Sequence, residues 1–255
     1  MNQSSLLQTA IAAARAAEAV IRPYLDATLK VDLKADRSPV TEADVAAEEI
    51  IHRTIGERFP DHGFYGEETG QSGEGSEYLW LVDPIDGTKS FVRGYPFFST
   101  QIALWHRGQP VLGVSNAPLF GELAYAQVGH GAFLNDCPIR VSDLADPADA
   151  TLSLGNIKTL AQDAPRWSAL GGLIPRFNRV RGYGDFYHYH LLAAGKLDVV
   201  VESDVNILDV AALSVIVGEA GGRVTDLRGQ SLNRDSTTIL ASNGALHDIL
   251  LDTLG

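Results

Sequence analysis

Two carboxylates, a glycine and a hydroxyl crowd into Asp83-Pro84-Ile85-Asp86-Gly87-Thr88, with further acids in Gly66-Glu67-Glu68 upstream and at Asp209 far downstream. These types suit metal-assisted phosphate chemistry. Like charges about 4 Å apart repel by about 4 kcal/mol at an effective dielectric of about 20, so gathered acids must take up protons or share cations. Hard oxygen donors without a His or Cys cluster favour Mg²⁺ over a dedicated zinc site. Such ions would orient and polarise a phosphate, make water a competent nucleophile at neutral pH and stabilise a departing alkoxide. Gly87 permits close backbone approach, and Thr88 offers both a hydroxyl and a backbone N–H to a phosphate.

Each of these features also has a purely structural use. Asp-Pro and Asp-Gly pairs form turns, Asp44 can cap a helix, and Asp209 can complement a helix dipole. Their conjunction behind a buried strand is what points to a metal site. The histidines are scattered, apart from His188 and His190, which stand two apart on an expected helix and would not share a face. Cys137, the one cysteine, stands beside Pro138 with no activating base or helix start, and reads as structural.

The chain must bring these acids together from distant segments, and its 255 residues are enough for two closely packed halves around a shared cleft, expected at 1–142 and 143–255. Hydrophobic residues at 45% and charged residues at 20% exclude a disordered or fibrous protein. A net charge of −12 with no basic stripe excludes a nucleic-acid partner, and it would hinder an anionic substrate unless cations reversed the local field. The first 25 residues, with Arg15 and Glu18 inside their apolar pattern, lack the order of a signal peptide, and no apolar run is long enough for a membrane span. A cytoplasmic location is therefore expected.

Leu6, Leu7, Ile11, Ala14, Ala17, Val20 and Ile21 predict a first helix over 4–25. A polar turn follows at 34–39, and Thr41-Glu42-Ala43-Asp44 resembles a capping box opening a second helix, with Val45, Ala46, Ile50, Ile51 and Ile55 on its apolar face. Tyr78 to Val82 predicts a buried strand that delivers Asp83 to its end, where Pro84 stops the ladder. Turn signals at Arg107-Gly108, Phe120-Gly121 and Asn135-Asp136 divide 99–141 into an antiparallel meander, and a polar linker is expected at 143–149. Beyond it the pattern predicts strands near 151–154 and 197–201, and helices near 163–172, 185–194 and 209–220, making the second half α/β.

Taken together, Pro39-Val40-Thr41-Glu42-Ala43-Asp44, Gly66-Glu67-Glu68, the Asp83 to Thr88 stretch, Asp209-Val210-Ala211-Ala212 and Glu219-Ala220-Gly221-Gly222 resemble the inositol monophosphatase superfamily over nearly the whole chain. The resemblance implies an α/β, layered αβαβα sandwich, a Mg²⁺-dependent phosphomonoesterase with two or three ions per site, sensitivity to lithium, and a homodimer. It implies that Glu67 binds metal and orients the attacking water, that Asp83 bridges two metals, that Ile85 contributes its carbonyl, and that Asp86 and Asp209 complete the second metal site. Thr88 would assist Glu67 in activating water, with Asp44 supporting Thr88. The N–H groups of Gly87 and Thr88 would hold the phosphate, and Glu202 would touch the alcohol portion.

Within the superfamily, Leu208 stands where the inositol branch usually has Trp and Leu213 where it usually has Gly. The stretches 86–96, 183–187 and 191–195 look more like bacterial histidinol-phosphate phosphatases. A cationic substrate suits acids at a pocket rim, with Asp185 and Glu202 placed to meet the ammonium or imidazole of histidinol. Asp185 also fits a plain helix cap. The competing functions are hydrolysis of inositol 1-phosphate or another sugar or nucleotide phosphate, and a non-catalytic metal-binding homologue, which would have no physical need to keep the full acid set.

Overall fold

The computed structural model describes residues 4–25, 31–33, 39–73 and 75–255. The turn expected at 34–39 lies outside them except for Pro39. Ser4 caps α1 (Ser5–Ile21), whose Leu7, Ala10, Ala14, Ala17 and Ile21 form one buried stripe. After the short pair β1 (Val31–Leu33) and β2 (Pro39–Thr41), Thr41 and Asp44 close a reciprocal capping box that starts α2 (Glu42–Gly56). Its buried face carries Ala43, Ala47, Ile51 and Ile55, and also the acids Asp44 and Glu48.

β3 (Gly63–Gly66), β4 (Gly70–Ser72), β5 (Tyr78–Asp86), β6 (Ser99–His106), β7 (Gln109–Ala117), β8 (Glu122–Gln127), β9 (Ala132–Leu134) and β10 (Cys137–Ile139) form one sheet ordered β10-β9-β8-β7-β6-β5-β3-β4, parallel only between β3 and β5. The meander from β6 to β10 is antiparallel, as its turn residues predict. The short helix α3 (Thr88–Val92) leaves β5 at Gly87. Contrary to expectation, Pro84 does not end β5. The ladder to β6 shifts register between Asp83 and Asp86 and then resumes at Ser99, because a bulge can absorb a residue that has no N–H to give.

The second sheet, ordered β12-β11-β13-β15-β14, joins β11 (Thr151–Gly155), β12 (Arg179–Arg181), β13 (Val199–Ser203), β14 (Arg223–Thr225) and β15 (Thr238–Ser242). Between these strands run α4 (Ile157–Leu160), α5 (Ala164–Leu173), α6 (Tyr187–Ala193) and α7 (Ile207–Glu219), and α8 (His247–Leu254) ends the chain.

Strand alternation sorts the core into layers. Trp80, Val82, Ile102 and Leu104 pack on α1 and α2, while Leu81 and Ala103 join Phe186, Val210, Ile216 and Val200 of the middle layer. Val199 and Val201 face the other way, onto Leu170, Leu173 and Leu250 of α5 and α8. The result is an αβαβα sandwich with α6 and α7 in the middle. Helix α7 is accordingly apolar nearly all round. It lies so close to β7 that a Cβ on Gly113 would come within 2.2 Å of the Ala212 carbonyl oxygen. Gly113→Ala is expected to cost about 1–3 kcal/mol through overpacking, read as a lower midpoint in urea unfolding.

Candidate active site

Strand β5 drives its buried, apolar first half under the sheet surface and ends in acids. Asp83 is 3% exposed and turns back on the chain, its Oδ1 accepting from the Ile85 N–H at 2.9 Å. Gly87 holds φ +90, and a Cβ there would meet the Phe97 carbonyl oxygen at 2.5 Å, so both torsion and space require glycine. Thr88 then opens α3, with its hydroxyl 3.0 Å from the Ile85 carbonyl oxygen and 3.4 Å from Asp44 Oδ1.

Asp209 arrives from the middle layer. Asn206 caps α7, accepting from the N–H groups of Leu208 and Asp209, while Asp209 Oδ2 accepts from the Asn206 N–H at 2.9 Å. The helix-dipole use foreseen for Asp209 fits this place in the first turn of α7, and the contact to Asn206 also fixes the carboxylate toward β5. Carboxylate oxygens of Asp83, Asp86 and Asp209 all lie within 4.8 Å of one another.

A pocket of about 400 Å³ opens over them. Glu67, Ile85, Gly87 and Thr88 line it beside the three aspartates, as do Asp185 and Glu202. Asp44 is not among the lining residues; it sits behind Thr88, wholly buried and engaged with Thr41. Also lining the pocket, and unforeseen, are Lys89, Ser90, Asn156, Tyr189 and Asn206. Lys89 and Ser90 simply continue the motif. Asn156, at φ +46, and Tyr189 come from chain segments whose patterns carry no chemical signal.

Two expectations for Asp185 and Glu202 need correction. Asp185 does not start a helix, since α6 begins at Tyr187 with Phe186 before it; Asp185 instead holds φ +45, a left-handed conformation that Asp tolerates better than most residues. Glu202 is not at a rim but is only 4% exposed. Its Oε2 accepts from Tyr189 Oη at 2.8 Å and lies 3.0 Å from His188 Nε2, and its Oε1 lies 3.4 Å from Asn156 Nδ2. His190 points elsewhere, to Ser115 Oγ and Glu122 Oε2, so the two histidines do not share a face. Cys137 is exposed on the edge strand β10.

The electrostatics fit a cation. Burial first, then the charges of Glu67, Asp86 and Asp209, push the Asp83 carboxyl well above the usual carboxylate range. Burial and then Asp209 do the same for Asp86. Burial raises Asp209 to about 7, against the N–H groups of Asn206 that favour its charged form. Burial and Glu202 raise Asp185 to about 6, with His188 and Lys89 opposing. Hard oxygen donors in this crowding suit divalent cations such as Mg²⁺.

A stability consequence follows. Carboxyls raised in the folded state bind protons more tightly there than in the unfolded chain, so stability falls as pH climbs from the unfolded value of 3.8 through about 7. In EDTA the melting temperature is expected to drop between pH 5.5 and 8, and added Mg²⁺ should reverse most of the drop at pH 8.

Comparison with known proteins defines the class. The model of the inositol monophosphatase family matches residues 2–254. The chain belongs to this family, and is a phosphoric monoester hydrolase. More particularly, it is 40% identical over 254 residues to a histidinol-phosphatase of Mycobacterium tuberculosis, covering 97% of each chain. It is 39% identical over 228 residues to a histidinol-phosphatase of Chlorobaculum parvum, covering 89% of this chain and 88% of that protein. Among solved structures, an IMPase of Thermotoga maritima superposes with a TM-score of 0.87 at 33% identity, covering 98% of this chain and 97% of that one. No helix among the described residues is long and apolar enough to cross a membrane.

Proposed function

We propose that this phosphatase is Mg²⁺-dependent and hydrolyses L-histidinol phosphate to L-histidinol and phosphate. The observation that carries the substrate is a second pair of acids in the pocket: Asp185 and Glu202 line it together with the acids of β5 and α7. One carboxylate can accept from a polyol hydroxyl, but two acids together suit an amino alcohol bearing an ammonium and an imidazole better. The names of the two curated relatives support the same reading.

In this proposal Glu67, Asp83, the Ile85 carbonyl, Asp86 and Asp209 hold two or three Mg²⁺ ions, which supply charge neutralisation and Lewis acidity toward the phosphate. The chain's own residues do the rest. The Gly87 and Thr88 N–H groups receive phosphate oxygens as α3 begins. Glu67 and the Thr88 hydroxyl orient the attacking water, the Glu67 carboxylate takes up its proton, and buried Asp44 keeps that hydroxyl directed. Asp185 and Glu202 hold the alcohol portion, the latter fixed by Tyr189 and His188.

The division into halves 1–142 and 143–255 is part of the proposal. It is supported by the large sheet ending at Ile139 and the small one starting at Thr151. A cytoplasmic homodimer is proposed as well; the exposed thiol of Cys137 is compatible with a reducing compartment. Light scattering at assay concentration should give twice the 27.4 kDa chain mass.

The substrate test is phosphate release from a panel of histidinol phosphate, inositol 1-phosphate and adenosine 3′,5′-bisphosphate, with and without EDTA. The highest kcat/KM is expected for histidinol phosphate. A clear preference for inositol 1-phosphate would leave only the phosphatase class standing.

A further inference from the structure

Glu48 is a carboxylate that the chemistry above does not use, on a helix face that also carries Ala43, Asp44, Ala47, Ile51 and Ile55. It is 1% exposed. Burying an acid is costly unless its oxygens are satisfied. Here they are satisfied by one turn. Oε2 accepts from the Glu68 N–H at 2.8 Å, and Oε1 accepts from the Thr69 N–H at 2.8 Å and the Thr69 hydroxyl at 2.6 Å. That turn joins β3 to β4, whose last pair is Gly66 and Gly70, and Glu67 is its first residue. The Glu67 N–H itself donates to the Val82 carbonyl, next to Asp83.

Gly66 is shaped by the same contact. A Cβ there would stand 2.3 Å from Glu48 Oε1, so the glycine before Glu67 makes room for the buried carboxylate. Glu48 also lies one helical turn after Asp44, which stands behind Thr88. One face of α2 therefore backs both residues that the proposed mechanism assigns to the attacking water.

We propose that Glu48 is a positioning residue. Its carboxylate fixes the 66–69 turn, so that the Glu67 side chain is held at the pocket in the geometry that binds metal. The inference rests on the metal reading of Glu67 given above. It places no metal on Glu48 itself, whose oxygens are occupied by the turn.

The test is Mn²⁺ binding to chelator-treated full-length protein, followed by electron paramagnetic resonance without substrate, with Mg²⁺ dependence of kcat as a second readout. Glu48→Gln replaces one acceptor oxygen by an NH₂ group that faces an N–H donor. It is expected to weaken Mn²⁺ binding by about ten- to a hundredfold, as loss of outer partners of metal ligands does. Saturating Mg²⁺ should recover kcat to within about threefold, because the reacting groups are all still present. Thr69→Val removes only the hydroxyl contact and should weaken Mn²⁺ binding by about threefold.

Unchanged Mn²⁺ affinity in folded Glu48→Gln would overturn the proposal, even with a lowered melting temperature, since that result means a structural role alone. If Glu48→Gln does not fold, Thr69→Val decides, and unchanged affinity there overturns it. A wild-type protein that binds no Mn²⁺ would bring down the metal reading and the clamp together, and is recognised by flat titrations in every variant.

Discussion

Asp83→Asn is expected to lower kcat by about a thousandfold or more, a loss of about 4 kcal/mol of transition-state stabilisation, while leaving the chain folded. The substitution keeps the shape. An amide oxygen can still accept from the Ile85 N–H, as Asp83 Oδ1 does now, so the bulge that carries β5 on to Gly87 persists. What disappears is one negative charge at the centre of the acid cluster, where Glu67, Asp86 and Asp209 all act on it. Two measurements separate chemistry from folding. Phosphate release reports the first. For the second, the melting temperature in EDTA at pH 8 should be equal to or above that of the wild type, because a repelling charge has been removed from a buried site. Undiminished turnover in EDTA would refute the metal mechanism.

The sequence was most legible where local chemistry and global fold agree. Thr41 and Asp44 satisfy each other's backbone donors within one turn, so the start of α2 needs no tertiary information. The meander was legible because Asn135 and Asp136, both at positive φ, and the Gly pairs mark its turns directly. Pro84 misled because the rule that proline ends a ladder holds for regular pairing, whereas β5 bulges there and resumes.

The surroundings of Glu202 were harder, for a different reason. The run expected as a strand at 197–201 extends to Ser203, and period-2 alternation puts Glu202 on the same face as Val200, toward α6 and α7. Its burial could have been read from that period once the strand's end was known. The partners Tyr189, His188 and Asn156 could not, since they meet Glu202 only through the packing of α6 and the end of β11 against β13. Glu48 did leave a signal: an acid four residues after Asp44 on a face of alanines and isoleucines is a buried acid, and a buried acid must have donors.

Asp185→Asn is expected to lower kcat/KM for histidinol phosphate by about ten- to a hundredfold, and to change it little for a neutral ester such as inositol 1-phosphate. The geometry makes Asp185 the cleaner probe of the pair. In Glu202→Gln an NH₂ group must compete with Tyr189 and His188 for their acceptor, so part of any loss would reflect a disturbed wall. The expected pH profile adds a second signature. Asp185 attracts a cation only when ionised, and burial with the nearby Glu202 charge holds its carboxyl at about 6. Wild-type kcat/KM for histidinol phosphate should therefore fall as pH drops through about 6, since this profile reports the free enzyme, while in kcat the bound cation moves the midpoint lower by favouring the charged form. The asparagine variant should lose that limb of the profile. Equal losses on the cationic and neutral substrates, or a low-pH limb that survives in the variant, would show that Asp185 supports the metal site or the fold, and would remove the main physical argument for an amino-alcohol phosphate as the substrate.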